Sequence, residues 1–263
     1  MSKTIKYKEK LFEVYDSSDL PLKNQFKDIC IDDTTMCHLY KFMCALKKVK
    51  KSYYTRDLNE KIIQKISRRK YGISIKDVMY KQTERVFAYE LYHQWSCMLC
   101  PSKEYVLNAE SRKQIEWFGN HVMKKLPQST NGKQSFPDLI LHKEDSDDGQ
   151  LIICEIKRKD RLISDIVTDI ESLTLFTKKG KKKDCDIEPF NCGIFLVFCD
   201  SFKHIIRVIR SKMNELIKAI GDKSGKCNII CVSCDYNPHS EDLEIYFQTV
   251  SEIIRQLKEN KMV

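Results

Sequence analysis

From about residue 80 onward, segments with apolar residues every three or four positions alternate with short runs that are apolar almost throughout. The first pattern predicts amphipathic helices and the second predicts strands covered on both faces. "TERVFAYELYHQWSCM" (83–98) reads as a helix with Thr83 as its cap, "YVLNAE" (105–110) as a short strand, and "KQIEWFGNHVMKKL" (113–126) as a second helix. "FPDLILH" and "LIICEIKR" are two strands joined by the polar turn "KEDSDDGQ", a hairpin signal. Then follow a helix over 163–179 opened by Ser164 and Asp165, a buried strand "GIFLVFC" (193–199), one long amphipathic helix over 202–220, and a buried strand "CNIICVSC" (227–234). A strand or helix around "LEIYFQ" and the helix "SEIIRQLKEN" close the chain. The pattern predicts an α/β domain over 81–263 with a mixed central sheet flanked by helices. Residues 1–80 read as a basic, mostly helical region, with "CHLYKFMCALKKVKK" and "DLNEKIIQKISRRKYG" at helical spacing and the second ending at Gly72. Whether that region is a small domain or a lobe packed on the rest stays open at this level.

Composition narrows the class. The 263 residues are 42% hydrophobic with only 8 glycines and 6 prolines, the balance of a folded globule. No apolar run approaches the roughly 20 residues that a bilayer requires, and "MSKTIKYKEK" lacks the apolar core of a secretory signal, so a cytoplasmic protein without membrane contact is expected. The twelve cysteines sit mostly in apolar runs such as "LIICEI" and "FLVFCD", where cysteine packs as a small hydrophobe. Two C-x-x-C pairs, Cys97 with Cys100 and Cys231 with Cys234, have zinc-ligand spacing. The second pair lies in an expected strand, where residues three apart point to opposite faces. The net charge of +9 gathers in "KKVKK" (47–51), "SRRK" (67–70) and "KKGKKK" (178–183), the last including Lys181 and Lys182. Three such clusters favour a polyanionic partner, nucleic acid first.

The hairpin carries charges that a buried strand has no structural need for. In "LIICEIKRK", Glu155 and Lys157 are two apart and share one face of the strand. Asp138, after Pro137 at the start of the preceding strand, comes within reach of Glu155 in an antiparallel pairing. Two close carboxylates repel unless a cation lies between them, and a hard divalent ion, Mg²⁺ or Mn²⁺, takes such oxygen ligands. A lysine beside them can hold a water and counter charge developing on a phosphate. A solvated ladder of alternating charges is the simpler alternative. Against it, every residue of "LIIC" before Glu155 is apolar.

Pro137-Asp138, a gap of 17 residues, then Glu155-Ile156-Lys157 resembles the P-D…(D/E)-x-K signature of the restriction-endonuclease-like nuclease superfamily. That resemblance implies a restriction-endonuclease-like core in which a helix carrying an acid, a short strand, the P-D strand, the E-x-K strand, a helix and a further strand follow in order. Residues 83–199 can be read so, with one additional helix before the P-D strand. The implied helix acid is Glu90, at the edge of the stripe centred on Phe87; Glu84, read as a first-turn residue explained by the helix dipole, is the second choice. Gln94, one turn past Glu90, is an auxiliary candidate, as are His93 and Glu110. Tyr92 reads as a packing residue. Arg158 and Lys159 extend the positive charge toward a phosphate.

The resemblance implies a metal-dependent phosphodiesterase: Asp138, Glu155 and Glu90 would bind Mg²⁺ or Mn²⁺, Lys157 would position the attacking water, and the product would carry a 5′-phosphate. The expected partner is nucleic acid, DNA ahead of RNA, in restriction, repair or defence against mobile elements, with a homodimer where two strands are cut. The rival readings are a nuclease-like module that binds without cutting and an α/β docking protein that presents the helix 202–220. No Gly-rich phosphate loop, H-E-x-x-H or G-x-S-x-G points to other chemistry.

Overall fold

The computed structural model describes residues 3–7, 10–16, 26, 29, 31–50, 53, 75–99, 104–109, 137–143, 149–158, 163–178, 188–199, 201–220, 227–236 and 243–259. Six strands form a mixed sheet: β3 (Tyr105–Ala109), β4 (Leu139–Lys143), β5 (Gln150–Arg158), β6 (Cys192–Phe198), β7 (Ile229–Tyr236) and β8 (Leu243–Thr249). The hairpin β1 (Lys3–Tyr7) and β2 (Lys10–Asp16) extends it at the β8 edge, so that the order is β1-β2-β8-β7-β6-β5-β4-β3. β5, β6 and β7 run parallel; β3, β4 and β8 are antiparallel to their neighbours. The parallel centre is where the unbroken apolar runs lie, because helices cover both of its faces.

One face is covered by α1 (Asp33–Lys48) and α2 (Ile75–Ser96). Phe42, Leu46, Phe87, Leu91 and Trp95 meet Ile152, Cys154, Ile156 and Leu196 there in one core cluster. The other face carries α3 (Ile163–Thr177), α4 (Phe202–Ser211), α5 (Met213–Ile220) and α6 (Val250–Glu259), packed on Ile153, Phe195, Val197 and Cys231. Alternate residues of each strand thus fall into different cores, as the two-residue period of a strand requires. Cys231 belongs to one cluster and Cys234 to the other. The two thiols of that C-x-x-C pair therefore cannot share an ion. Cys97 is exposed, and Cys100 lies outside the described residues.

Two expectations are corrected, and the amino-terminal region, expected to be mostly helical, also contains a hairpin: β1 pairs with β2, and β2 joins the sheet where Tyr15 and Asp16 pair with Phe247 and Tyr246. The helix expected to begin at a Thr83 cap begins at Ile75, so Thr83 lies inside α2. Residues 75–83 contain neither glycine nor proline, so nothing in that stretch breaks the helix before Thr83. The single helix expected over 202–220 is broken at Lys212, whose φ of −120° and ψ of 17° leave the helical range. Just before it the Ser211 hydroxyl donates to the Val208 carbonyl at 2.8 Å, a local bond that competes with the helical ladder. Among the described residues no helix is long and apolar enough to cross a membrane.

The turn expected between β4 and β5 ends on Gly149, whose φ of +76° only glycine adopts without strain. An added Cβ there would come within 3.0 Å of the Lys143 Cβ. α1 is capped by Asp32, whose side chain accepts from the Thr35 N–H at 2.7 Å.

His38, on the buried side of α1, is 7% exposed and packs edge-on against the Tyr105 ring at 5.3 Å. Burial, with Lys41 adding to it and Glu104 opposing, lowers its pKa to about 4 from an ordinary 6.5. The unfolded chain therefore takes up a proton near pH 6.5 that the folded chain refuses until about pH 4. Stability contributed by neutral His38 is complete above pH 6.5 and is lost as the pH falls toward 4, on the order of 1–3 kcal/mol in all. Urea unfolding at a series of pH values is expected to show this slope in the wild type and a shallower one in His38→Gln. Equal slopes would mean that His38 is not the group responsible.

Candidate active site

β4 and β5 bring the acidic and basic residues of the hairpin together through backbone bonding. Pro137, which has no N–H to offer a ladder, stands just before the strand, a position where proline is tolerated. The Asp138 N–H donates to the Cys154 carbonyl at 3.1 Å, and its Oδ2 accepts from the Ile156 N–H at 2.7 Å. Asp138 thus continues the ladder with its own side chain, which fixes the carboxylate beside the strand that carries Glu155 and Lys157. The register Leu139↔Cys154 places the three groups as the antiparallel reading expects.

Glu155 is 3% exposed, between Ile153 on its own strand and Phe195 across the parallel pairing. The Lys157 ammonium lies 3.6 Å from Glu155 Oε2 and 3.3 Å from Asp169 Oδ2. Burial pushes the Glu155 carboxyl well above the usual range; Lys157 opposes the shift, while Asp138 and Asp169 reinforce it. For Lys157 burial disfavours the charge, but Asp169, Glu155, Asp138 and Glu84 outweigh it and hold the pKa above the ordinary lysine value. Lys157 is therefore a stable cation whose closer partner is Asp169. Burial also raises the Cys154 thiol, with Asp138 and Glu155 adding to it, so the cysteine between them stays protonated.

Glu84 reaches the same strand end from α2: its Oε1 accepts from the Arg158 N–H at 3.1 Å. Glu90 does not join this group in the structure; its Oε1 accepts from Gln94 Nε2 at 2.8 Å on the flank of the helix. The reason is the phase of α2. Counted from Ile75, Glu84 is a mid-helix residue, seven before Leu91 and three before Phe87, on the stripe that faces the sheet. Glu90 is six residues on, about 9 Å along the axis and roughly 120° around it. His93 is exposed and Tyr92 packs against the core. Arg158 is half-buried, its N–H held by Glu84. Lys178 and Lys47, Lys48 and Lys50 are exposed, whereas Glu110, Lys159, Lys181, Lys182, the run 67–70 and the helix expected over 113–126 lie outside the described residues.

Asp169 was not anticipated. It is three residues after Ile166 and four before Leu173, both buried, so it occupies the apolar stripe of α3. A carboxylate in that position is the signal that was available, since an acid facing a core requires a partner.

No family model, curated protein or solved structure matches the chain. Among the described residues no three His, Cys, Asp or Glu side chains are arranged as a metal cage. Asp138 and Glu155 are two carboxylate oxygen donors on adjacent strands. Such a donor set suits a magnesium-type ion, which binds through one or two carboxylates and keeps most positions for water and phosphate. It does not suit zinc or another ion that prefers nitrogen and sulfur ligands.

Proposed function

We propose that the protein is a metal-dependent nuclease that hydrolyses phosphodiester bonds, in DNA ahead of RNA, with a restriction-endonuclease-like core. The observation that carries the reading is the convergence of Asp138, Glu155 and Lys157 on adjacent strands, with Glu155 and Lys157 set against Phe195 and Val197 of β6. The order α2, β3, β4, β5, α3, β6 agrees with what the resemblance implies, and Glu84 supplies a helix acid at the strand end. Asp138 and Glu155 would hold Mg²⁺ or Mn²⁺. When bound, such an ion polarises the phosphate and stabilises the departing oxygen.

The chain's own residues supply the rest. Asp138 is kept in place by the Ile156 N–H, so its orientation survives exchange of its other partners. Lys157, held charged, donates hydrogen bonds to an attacking water and offsets the negative charge that grows on the phosphate in the transition state. Glu84, by accepting from the Arg158 N–H, fixes the end of β5 and with it the direction in which Lys157 points. The net charge of +9 favours the approach of a polyanion and predicts binding that weakens steeply with salt.

Cleavage of plasmid, single-stranded DNA and RNA with Mg²⁺, Mn²⁺ or EDTA, on wild type and Asp138→Asn, tests the reading. Metal-dependent cutting that Asp138→Asn abolishes is expected. Nucleic-acid binding without cutting by either protein would move the non-catalytic binding module ahead.

A further inference from the structure

The Lys157 ammonium is shared by two carboxylates that reach it from different elements, Glu155 on its own strand and Asp169 on α3. Glu155 is the more buried of the two, with a side chain 4% exposed against 15% for Asp169. If Glu155 is to take up a divalent cation together with Asp138, the ammonium beside it is a competitor, because two cations on one carboxylate repel each other. Asp169 offers the lysine a place outside that pair. Its position is set by the core: Ile166, Ile170 and Leu173 bury the same face of α3 against the sheet. It therefore acts as a fixed post rather than a loop residue that adjusts.

Resting on the nuclease reading, we infer that Asp169 is a positioning residue that retains Lys157 so that Glu155 is left to the metal ion. Without Asp169, Glu155 is the carboxylate still in contact with the ammonium, and the lysine settles on it. Metal binding then has to displace Lys157. A merely structural Asp169, tying α3 to β5, would instead affect folding and would affect metal binding whether or not residue 157 carries a charge.

The test is Mn²⁺ binding to the full chain, followed by titration calorimetry and by the electron paramagnetic resonance of free Mn²⁺. The proteins are wild type, Asp169→Asn, Asp169→Glu, Lys157→Met and the double variant Lys157→Met/Asp169→Asn, each with a thermal melt. Asp169→Asn is expected to weaken Mn²⁺ binding about tenfold or more, the scale of one close charge. Asp169→Glu restores most of the loss. Lys157→Met tightens binding, and in that background Asp169→Asn has little further effect. Unchanged binding in Asp169→Asn, or the same weakening in both backgrounds, overturns the inference while wild-type cutting keeps the nuclease reading. Should Asp169→Asn fail to fold, Lys157→Met decides: binding no tighter than wild type means no competition exists. A wild type that binds no Mn²⁺ ends both readings.

Discussion

Glu155→Gln is expected to lower metal-dependent cleavage by about 10³-fold or more while leaving the melting temperature level or higher. The loss follows from removing a charged oxygen donor, since an interaction of several kcal/mol made in the transition state corresponds to three or more decades in rate. The gain follows from burial. Glu155 is 3% exposed and its carboxyl is pushed well above the usual range, so its ionised form is held in the fold at a cost. Glutamine keeps the shape and removes the charge. Lys157 keeps its nearer partner, Asp169 at 3.3 Å, so no cation is orphaned by the change. A residue that costs stability in its place and is needed for turnover is the pattern expected of an active site. The checks are an initial-rate assay in Mg²⁺ and a calorimetric melt of the same preparations. Undiminished cleavage would remove Glu155 from the chemistry; a large fall in melting temperature would mean that its charge supports the fold.

Phe42→Ala is expected to destabilise the whole protein by about 3–5 kcal/mol. Phe42 is fully buried on α1, and its ring meets Trp95 of α2 edge-on at 5.1 Å and 75°. Its neighbours in the core include residues of β5 and β6, so the hole left by truncation opens in the same packing that supports the strands of the hairpin. The aromatic pair contributes a further ~1 kcal/mol beyond the area it buries. Urea unfolding followed by circular dichroism and by tryptophan fluorescence is the measurement. One transition, moved to lower urea for both probes, is expected. A loss below about 1 kcal/mol, or two transitions of which only one moves, would mean that α1 folds apart from the sheet.

Where the sequence pattern was local, the elements are where it put them. The hairpin β4–β5, α3, β6 and α6 each carry their own signal: a polar turn with glycine at its end, a 3.6-residue stripe, or an uninterrupted apolar run. The acid–acid–lysine group was legible for the same reason, since side-chain period and hairpin register are short-range properties. β1 and β2 were not legible. They are brief, and β2 gains a partner in the sheet only from β8, more than two hundred residues later in the chain. The break at Lys212 escaped as well, because the apolar spacing runs through it and only a hydroxyl bond to the preceding turn marks the change.

The helix acid shows how one boundary decides a functional assignment. With the helix taken to start at Thr83, Glu84 was a dipole partner in the first turn and Glu90 the better candidate. With the helix starting at Ile75, Glu84 stands on the sheet-facing stripe, and it is Glu84 that bonds to the end of β5. Helix ends are set by weak local preferences, whereas the phase of a stripe is set by many residues at once.

By itself the sequence determined the α/β alternation, the two-sided burial of the central strands, and the presence of Asp138, Glu155 and Lys157 on one hairpin. Only the tertiary structure decided which helices bring charge to that hairpin. Glu84 arrives from the face covered by α1 and α2, and Asp169 from the face covered by α3, both across gaps in sequence that no periodicity spans. The physical reason is range. Backbone preference and side-chain alternation act over a few residues, but a half-buried ammonium selects its carboxylates by distance in space, which exists only once both sheet faces are packed.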